Sequence, residues 1–368
     1  MQNYEPLMQR TIQLAKNGAG SVSPNPLVGA IITRNGEIIS EGWHKKYGEI
    51  HAEIDAINKS NINDFSDCDL IVNLEPCSHE GHQPPCVDEI IKRKFRSVII
   101  GMKDPNPLVN GLGIKKLIEN GINVIENVCE EDCKCLNKIF IKNITSELPF
   151  VIVKIASTLD GYISSGLKKQ EIITCEKSLK DVHKMRSEVD AVLVGKGTIL
   201  NDNPLLNVRL VDGRNPKRII LDTNLELPLE QNIYLESNRD LNYVVVNKKS
   251  YNNRKANILK MSEVNIVEID GNESDKIELK DILSILFKKF NIASILVEGG
   301  AKVFKSFIDS DLMDELILYQ APKLLGHGIK YYENQSINNI NNALKMKYIN
   351  SEMLGCDIKI TLRKEISI

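Results

Sequence analysis

The chain has 368 residues, 42% hydrophobic and 26% charged, with a formal net charge of −2. That is enough apolar material for two domains of roughly 150–200 residues, and the balanced charge argues against a binder of nucleic-acid backbones. No window reaches the ~18 consecutive apolar residues of a membrane span, and eight cysteines in so long a chain point to reduced thiols, not to a secreted disulfide framework.

Residues 1–20 (MQNYEPLMQRTIQLAKNGAG) read as an amphipathic helix closed by glycine, with Leu7, Ile12 and Leu14 among polar residues. This stretch lacks the continuous apolar core of a signal peptide, so a cytoplasmic protein is expected. Leu27–Thr33 and Asp69–Leu74 are short apolar strands, His51–Ser60 and Val87–Lys94 are helices, and Ser97–Met102 is a third buried strand. Residues 114–126 read as a helix, a glycine stop and a strand. The alternation predicts a three-layer α/β/α sandwich with much of its sheet parallel. Cys129, Cys133 and Cys135 fall at an acid-rich helix start with no nearby histidine, which favours packed or exposed thiols over a second metal site. The polar, proline-containing stretch Lys142–Phe150 then breaks the pattern, and domains are expected over 1–146 and 147–368. A second alternating series follows, with apolar strand segments at 150–156, 191–195, 218–222, 242–247, 265–269, 294–300 and 315–321. It predicts another α/β domain ending in an extended segment near residues 356–366.

The stretch EPCSHEGHQPPC, residues 75–86, carries the first chemical signal. His51, Cys77 and Cys86 each fall at a junction between strand and helix. One histidine and two cysteines suit Zn²⁺ and leave a fourth tetrahedral position for water, and thiolates at helix starts gain from the positive end of the dipole. Glu53 follows the histidine by two positions, where it can stand beside a metal without binding it and shuttle protons. This is the logic of the zinc nucleobase deaminases, H-x-E followed by P-C-x-x-C, except that eight residues separate the cysteines here. Three other readings stand beside catalytic zinc: a closed structural zinc using His79 or His82, a disulfide, and a stiff loop.

The second half lacks the dinucleotide fingerprint G-x-G-x-x-G after a strand. Residues 294–304 (SILVEGGAKVF) give a buried strand, an acid, two glycines and a helix start, a junction that presents backbone N–H groups to an anion. Residues 191–209 run from a strand into a polar loop with Gly195, Gly197, Asp202 and Arg209. Taken alone, each reads equally as a tight turn.

NPLVGA (25–30), HAE (51–53), residues 75–86 and DPNPLVNGLGI (104–114) resemble the deaminase half of the bifunctional riboflavin-biosynthesis deaminase–reductase family. VKIASTLDG (153–161), residues 183–209, RIILDTN (218–224) and residues 297–326 resemble its reductase half, so the likeness covers nearly the whole chain. It implies a cytidine-deaminase-like three-layer α/β/α domain followed by a dihydrofolate-reductase-like α/β domain, with zinc and NADPH as cofactors. His51, Cys77 and Cys86 would hold zinc and Glu53 would move protons. Asn25, His44, His79, Asp104 and Asn106 would line the pyrimidine and phosphoribosyl pocket. His82 stands where the family has Lys or Arg, and would meet a phosphate only when protonated.

In the reductase half the resemblance implies that NADPH touches Ala156, Thr198, Asp202, Thr223 and Gly300, Ala301, Lys302, Val303, Phe304, Lys305 and Ser306. Arg186, Leu206, Arg209 and Glu298 would meet the phosphoribosyl substrate, with Lys154 and Asp160 in support. The family's S-Q-W-I-T reads Gln170-Glu171-Ile172-Ile173-Thr174 here. Gln170 therefore replaces a substrate-binding serine, and Ile172 replaces an aromatic wall at the nicotinamide.

The implied chemistry is hydrolytic deamination of 2,5-diamino-6-ribosylamino-4(3H)-pyrimidinone 5′-phosphate, then reduction of its ribosyl group to ribityl. The partners are small phosphoribosyl pyrimidines, not nucleic acid or membrane, and a homo-oligomer is compatible. Two rivals are a deaminase of tRNA or free bases with an accessory second domain, and a zinc-stabilised binding protein without catalysis.

Overall fold

The computed structural model describes every residue except 1–2, 80–82, 108, 168–170, 250, 252, 273–276 and 365–368. The chain divides into two compact units, Met1–Glu147 and Leu148–Ile368. Among the described residues no helix is long and apolar enough to cross a membrane.

The first unit runs α1 (Glu5–Ala15), β1 (Gly29–Arg34), β2 (Glu37–Trp43), α2 (Ala52–Lys59), β3 (Cys68–Leu74), α3 (Cys86–Lys92), β4 (Ser97–Met102), α4 (Leu112–Glu119), β5 (Asn123–Ile125), α5 (Glu130–Leu136) and α6 (Lys138–Ser146). Its sheet has the order β2-β1-β3-β4-β5. β3 and β4 are buried at every position, and β1 at all but its last. Strands covered on both faces read as apolar runs, which is why their sequences show so plainly. β2 lies at the edge with an irregular, half-exposed pattern, and the sequence reading passed over it. The sheet is mixed: β3, β4 and β5 pair parallel, whereas β1 runs antiparallel to both β2 and β3. Short β1–β2 and long β1–β3 connections permit these antiparallel pairings, whereas the segments carrying α3 and α4 are crossovers.

Two core clusters complete the three layers. Ile57, Val87, Ile90 and Leu117 of α2, α3 and α4 pack with alternate residues of β1, β3 and β4. Met8, Ile12 and Leu14 of α1 pack with Ile31, Ile71 and Ile99, joined by Cys133, Leu136 and Ile141 of α5 and α6. Cys133 is thus a core side chain whose thiol pKa burial pushes up to about 12. The polar stretch expected to break the pattern at 142 remains helical to Ser146.

The second unit runs β6 (Phe150–Thr158), β7 (Tyr162–Ser164), α7 (Glu176–Glu188), β8 (Ala191–Gly195), α8 (Lys196–Asp202), β9 (Lys217–Leu221), α9 (Asn232–Leu235), β10 (Asn242–Asn247), α10 (Asn253–Met261), β11 (Asn265–Ile269), α11 (Leu279–Phe290), β12 (Ser294–Val297), α12 (Ala301–Asp309), β13 (Glu315–Ala321), β14 (Ile329–Lys330), β15 (Met346–Leu354) and β16 (Asp357–Lys364). Nine strands form one sheet in the order β11-β10-β9-β8-β12-β6-β13-β16-β15, and β14 pairs β7 separately. All pairs from β11 to β13 are parallel; β16 and β15 close the edge antiparallel. β15 is exposed along most of its length. It therefore lacks the apolar run that marks the buried strands.

Candidate active sites

In the first unit the parallel strands deliver their C-terminal ends to one edge, where ligands gather in open α/β sheets. β3 ends at Leu74 and leads through Glu75-Pro76 to Cys77, while Cys86 opens α3 and His51 caps α2. Gly42 on β2 lets α2 approach, since a Cβ there would lie 2.4 Å from the Ala56 backbone nitrogen and 2.5 Å from the Ala52 carbonyl oxygen. Asp55 pins the same helix by accepting from Lys45 at 3.1 Å, Lys59 at 2.7 Å and the Trp43 N–H at 3.3 Å.

His51 Nδ1 lies 3.2 Å from Cys86 Sγ and 3.5 Å from Cys77 Sγ, and the three donor atoms fall within 4.8 Å of one another. Tetrahedral zinc with ordinary Zn–N and Zn–S bonds would hold its nitrogen and sulfur about 3.6 Å apart, so the set fits that ion. The Cys86 N–H donates to Cys77 Sγ at 3.2 Å. The Cys77 thiol is held far below its ordinary range, at about 4, by hydrogen bonding from Cys86 and from His51. Glu53, in the first turn of α2, is 3% exposed. Burial first, then the neighbouring Cys77 sulfur, pushes its pKa up to about 7.

His51, Glu53 and Cys77 open on a cavity of about 310 Å³ lined also by Asn25, His44, His79, Asp104 and Asn106. The five pocket residues expected from the first half are therefore brought together around His51, Cys77 and Glu53; His82 lies outside the described residues. His44 faces the Ile50 carbonyl through Nδ1 at 3.1 Å and Asn25 Nδ2 through Nε2 at 3.2 Å, so Nδ1 donates and Nε2 accepts. Burial lowers its pKa, keeping the ring neutral. Burial pushes Asp104 up to about 6.

Glu75 was missed from the sequence. It is 3% exposed, and its carboxylate accepts from the N–H groups of Asp104 (3.2 Å), Gly111 (3.0 Å), Gly113 (3.0 Å) and Ile114 (3.3 Å). One acid thus ties Asp104 to the start of α4. Its signal was an acid set between an apolar strand and a proline. Phe140 and Gln83 also line the cavity without any such signal.

In the second unit Glu298 follows β12 and is buried. Arg186 of α7 donates to it through Nε at 2.6 Å and Nη2 at 2.9 Å, and Lys154 of β6 approaches at 3.1 Å. Burial would raise the carboxyl, yet Arg186 and Lys154 hold it well below the usual carboxylate range. The third guanidinium donor, Nη1, reaches the Asn207 carbonyl at 3.0 Å. Each guanidinium nitrogen of Arg186 thus has a partner within the protein, and its side chain is 11% exposed. The charge was legible but its partners were not. Arg209 is exposed, with Nη1 on Asn207 Oδ1 at 2.9 Å, and Leu206 beside it is buried at φ 53°. His183, missed from sequence although three positions before Arg186 on α7, accepts the Arg209 N–H through Nδ1 at 3.1 Å. Burial and the flanking arginines lower its pKa to about 4.

Thr223, Thr198 with Asp202, and Gly300 follow β9, β8 and β12, three adjacent parallel strands, so the topology sets them along one sheet edge. A Cβ on Gly299 would come within 2.9 Å of Val194 and Thr198 atoms, and Gly300 caps α12 at φ 75°. This side-chain-free corner and the first N–H groups of α12 suit a cofactor phosphate. Ala301, Lys302, Val303, Phe304, Lys305 and Ser306 continue α12, with the Phe304 side chain buried in the core. Ala156 is half-buried on β6. Asp160 accepts the N–H groups of Leu325 and Gly326 at 3.0 and 2.8 Å, so it shapes a loop. Ile172 is 69% exposed, and Gln170 lies outside the described residues.

Residues 1–102 match the cytidine and deoxycytidylate deaminase zinc-binding region, and residues 149–360 match the RibD C-terminal domain. The chain is similar to the riboflavin biosynthesis protein RibD of Aquifex aeolicus, 37% identical with 97% of each chain covered, and to that of Actinobacillus pleuropneumoniae, 36% identical over 95% of this chain and 93% of the relative. Among solved structures it resembles a RibD of Acinetobacter baumannii (TM-score 0.88, 32% identity, 99% of each chain). It also resembles a diaminohydroxyphosphoribosylaminopyrimidine deaminase/5-amino-6-(5-phosphoribosylamino)uracil reductase of Thermotoga maritima (TM-score 0.85, 37% identity, 98% of each chain).

Proposed function

The chain belongs to the RibD family of riboflavin-biosynthesis proteins, bifunctional deaminases and reductases using zinc and NADPH, and from that premise we propose which residues perform each half-reaction. The observation that carries the reading is the meeting of His51, Cys77 and Cys86, at a cavity that His51, Cys77 and the buried Glu53 line. The proposed substrate is 2,5-diamino-6-ribosylamino-4(3H)-pyrimidinone 5′-phosphate, deaminated by residues 1–146 and then reduced by residues 147–368.

His51, Cys77 and Cys86 hold the zinc, which when bound acidifies a water at neutral pH. Glu53 takes the water proton and hands it to the departing amino nitrogen, so that water and substrate leave as a carbonyl product and ammonia. A pKa near neutrality suits a group that must both accept and release a proton. Asn25, through its amide, and His44, through the neutral ring that Asn25 and Ile50 hold in place, orient the pyrimidine. Asp104, Asn106 and His79 face the rest of the substrate, and Glu75 positions the segment that bears the first two.

NADPH supplies the hydride for the second reaction. Thr198, Asp202, Thr223 and the start of α12 hold it, Arg209 offers its exposed guanidinium to the sugar phosphate, and Glu298 meets the ribosyl group with its charge fixed by Arg186 and Lys154. A reducing, cytoplasmic setting belongs to the same reading because the metal set needs both thiols reduced.

The test is ammonia release from the diaminopyrimidine. We expect it to require zinc, to stop with a chelator, and to fall by about 10²–10⁴-fold in Glu53→Gln while that variant keeps its zinc. Unchanged release in Glu53→Gln would overturn the assignment.

A further inference from the structure

The second unit holds another group of thiols, separate from the first. Cys175 caps α7, and the β15–β16 ladder closes at the pair Leu354–Asp357, leaving Gly355 (φ 68°) and Cys356 as a two-residue turn. Turn and helix cap touch: Cys175 Sγ donates to the Leu354 carbonyl at 2.9 Å, and a Cβ on Gly355 would lie 3.0 Å from that sulfur. Asp357 fastens the two further. Its Oδ2 accepts the Cys175 N–H at 2.7 Å and the Ser178 hydroxyl at 2.6 Å, and its Oδ1 accepts from the Cys356 thiol at 3.6 Å. Both sulfurs and an Asp357 oxygen fall within 4.8 Å of one another.

Such a group suits either a metal or a disulfide, and the ligand count separates them. Asp357 Oδ2 is held by the Cys175 N–H and Ser178, so among the described residues Oδ1 and two thiols offer three ligands where a closed zinc site takes four. A disulfide needs the sulfurs alone and leaves the Asp357 bonds to backbone and Ser178 intact. Access favours it as well, because Cys356 is exposed and Cys175 half-exposed.

We propose that Cys175 and Cys356 are a redox modification site, closing to a reversible intramolecular disulfide with a low-molecular-weight disulfide such as oxidised glutathione as oxidant. The two thiols differ in readiness. The Cys175 pKa is lowered, first by the Ser178 backbone amide, whereas that of Cys356 is raised by desolvation and by Asp357. Cys175 therefore attacks: its thiolate bonds to one glutathione sulfur, the glutathione S–S bond breaks, and the departing thiolate takes up the proton that Cys175 lost. Cys356 then gives up its proton and attacks the Cys175 sulfur of this mixed disulfide, releasing the second glutathione. Two protein thiols are oxidised and one glutathione disulfide is reduced to two thiols. The new bond ties the β15–β16 turn to the helix that carries His183 and Arg186.

The test uses the full, zinc-loaded chain treated with oxidised glutathione, blocked with N-ethylmaleimide and digested without reduction. The expected result is one linked peptide pair joining Cys175 to Cys356, lighter by two hydrogens and separated again by dithiothreitol. Cys356→Ser should stop with glutathione on Cys175. Glutathione on the exposed Cys135 with no Cys175–Cys356 link would overturn the proposal, as would a zinc ion that protects both thiols until a chelator removes it.

Discussion

At Glu298 one buried carboxylate meets two cations, and both partners come from distant strands and helices. A pair of this kind contributes little net stability as a whole, but removing one member leaves the others buried without compensation. Glu298→Gln is therefore expected to destabilise the fold by about 3–5 kcal/mol in urea titrations near neutral pH. The sign in acid follows from the lowered pKa. The stabilisation is present above the ordinary carboxylate value and is lost as pH falls below it toward the folded-state value, so the gap between the native chain and Glu298→Gln should narrow below about pH 4. Glu75 works differently, through four backbone donors, and no cation partner in the sequence could have revealed it.

At the scale of elements, α2 shows how a short helix is aimed. Its cap carries His51 and its first turn both Glu53 and Asp55, while Gly42 on β2 receives its backbone. Gly42→Ala would drive a methyl against two backbone atoms that cannot turn aside. We expect the helix to shift, with a loss of about 1–3 kcal/mol in stability and weaker zinc retention on dialysis than in the native chain. The helix itself was legible from its apolar spacing and its H-A-E start. The glycine was not, since only the packed sheet shows what lies over it. The reverse holds for β15, an exposed edge strand with no burial pattern to read.

At the scale of the molecule, two compact units each carry a complete set of strands, core and candidate site residues. A metal-dependent step and a metal-free step then follow from different residues. Chelated enzyme should fail to release ammonia from the diaminopyrimidine, yet still oxidise NADPH when given the deaminated product; loss of both activities would contradict the division. The candidate metal set His51, Cys77 and Cys86, with Glu53 beside it, was legible because each falls at a junction between strand and helix, whereas the 294–304 junction alone read equally as a tight turn. The sequence by itself determined those motifs, the buried strands and the two-part organisation, since apolar runs and junction residues follow local geometry. Tertiary structure alone decided that Arg186 meets Glu298, that Glu75 ties Asp104 to the start of α4, and that Cys175 meets Cys356, because each of these contacts joins residues far apart in the chain.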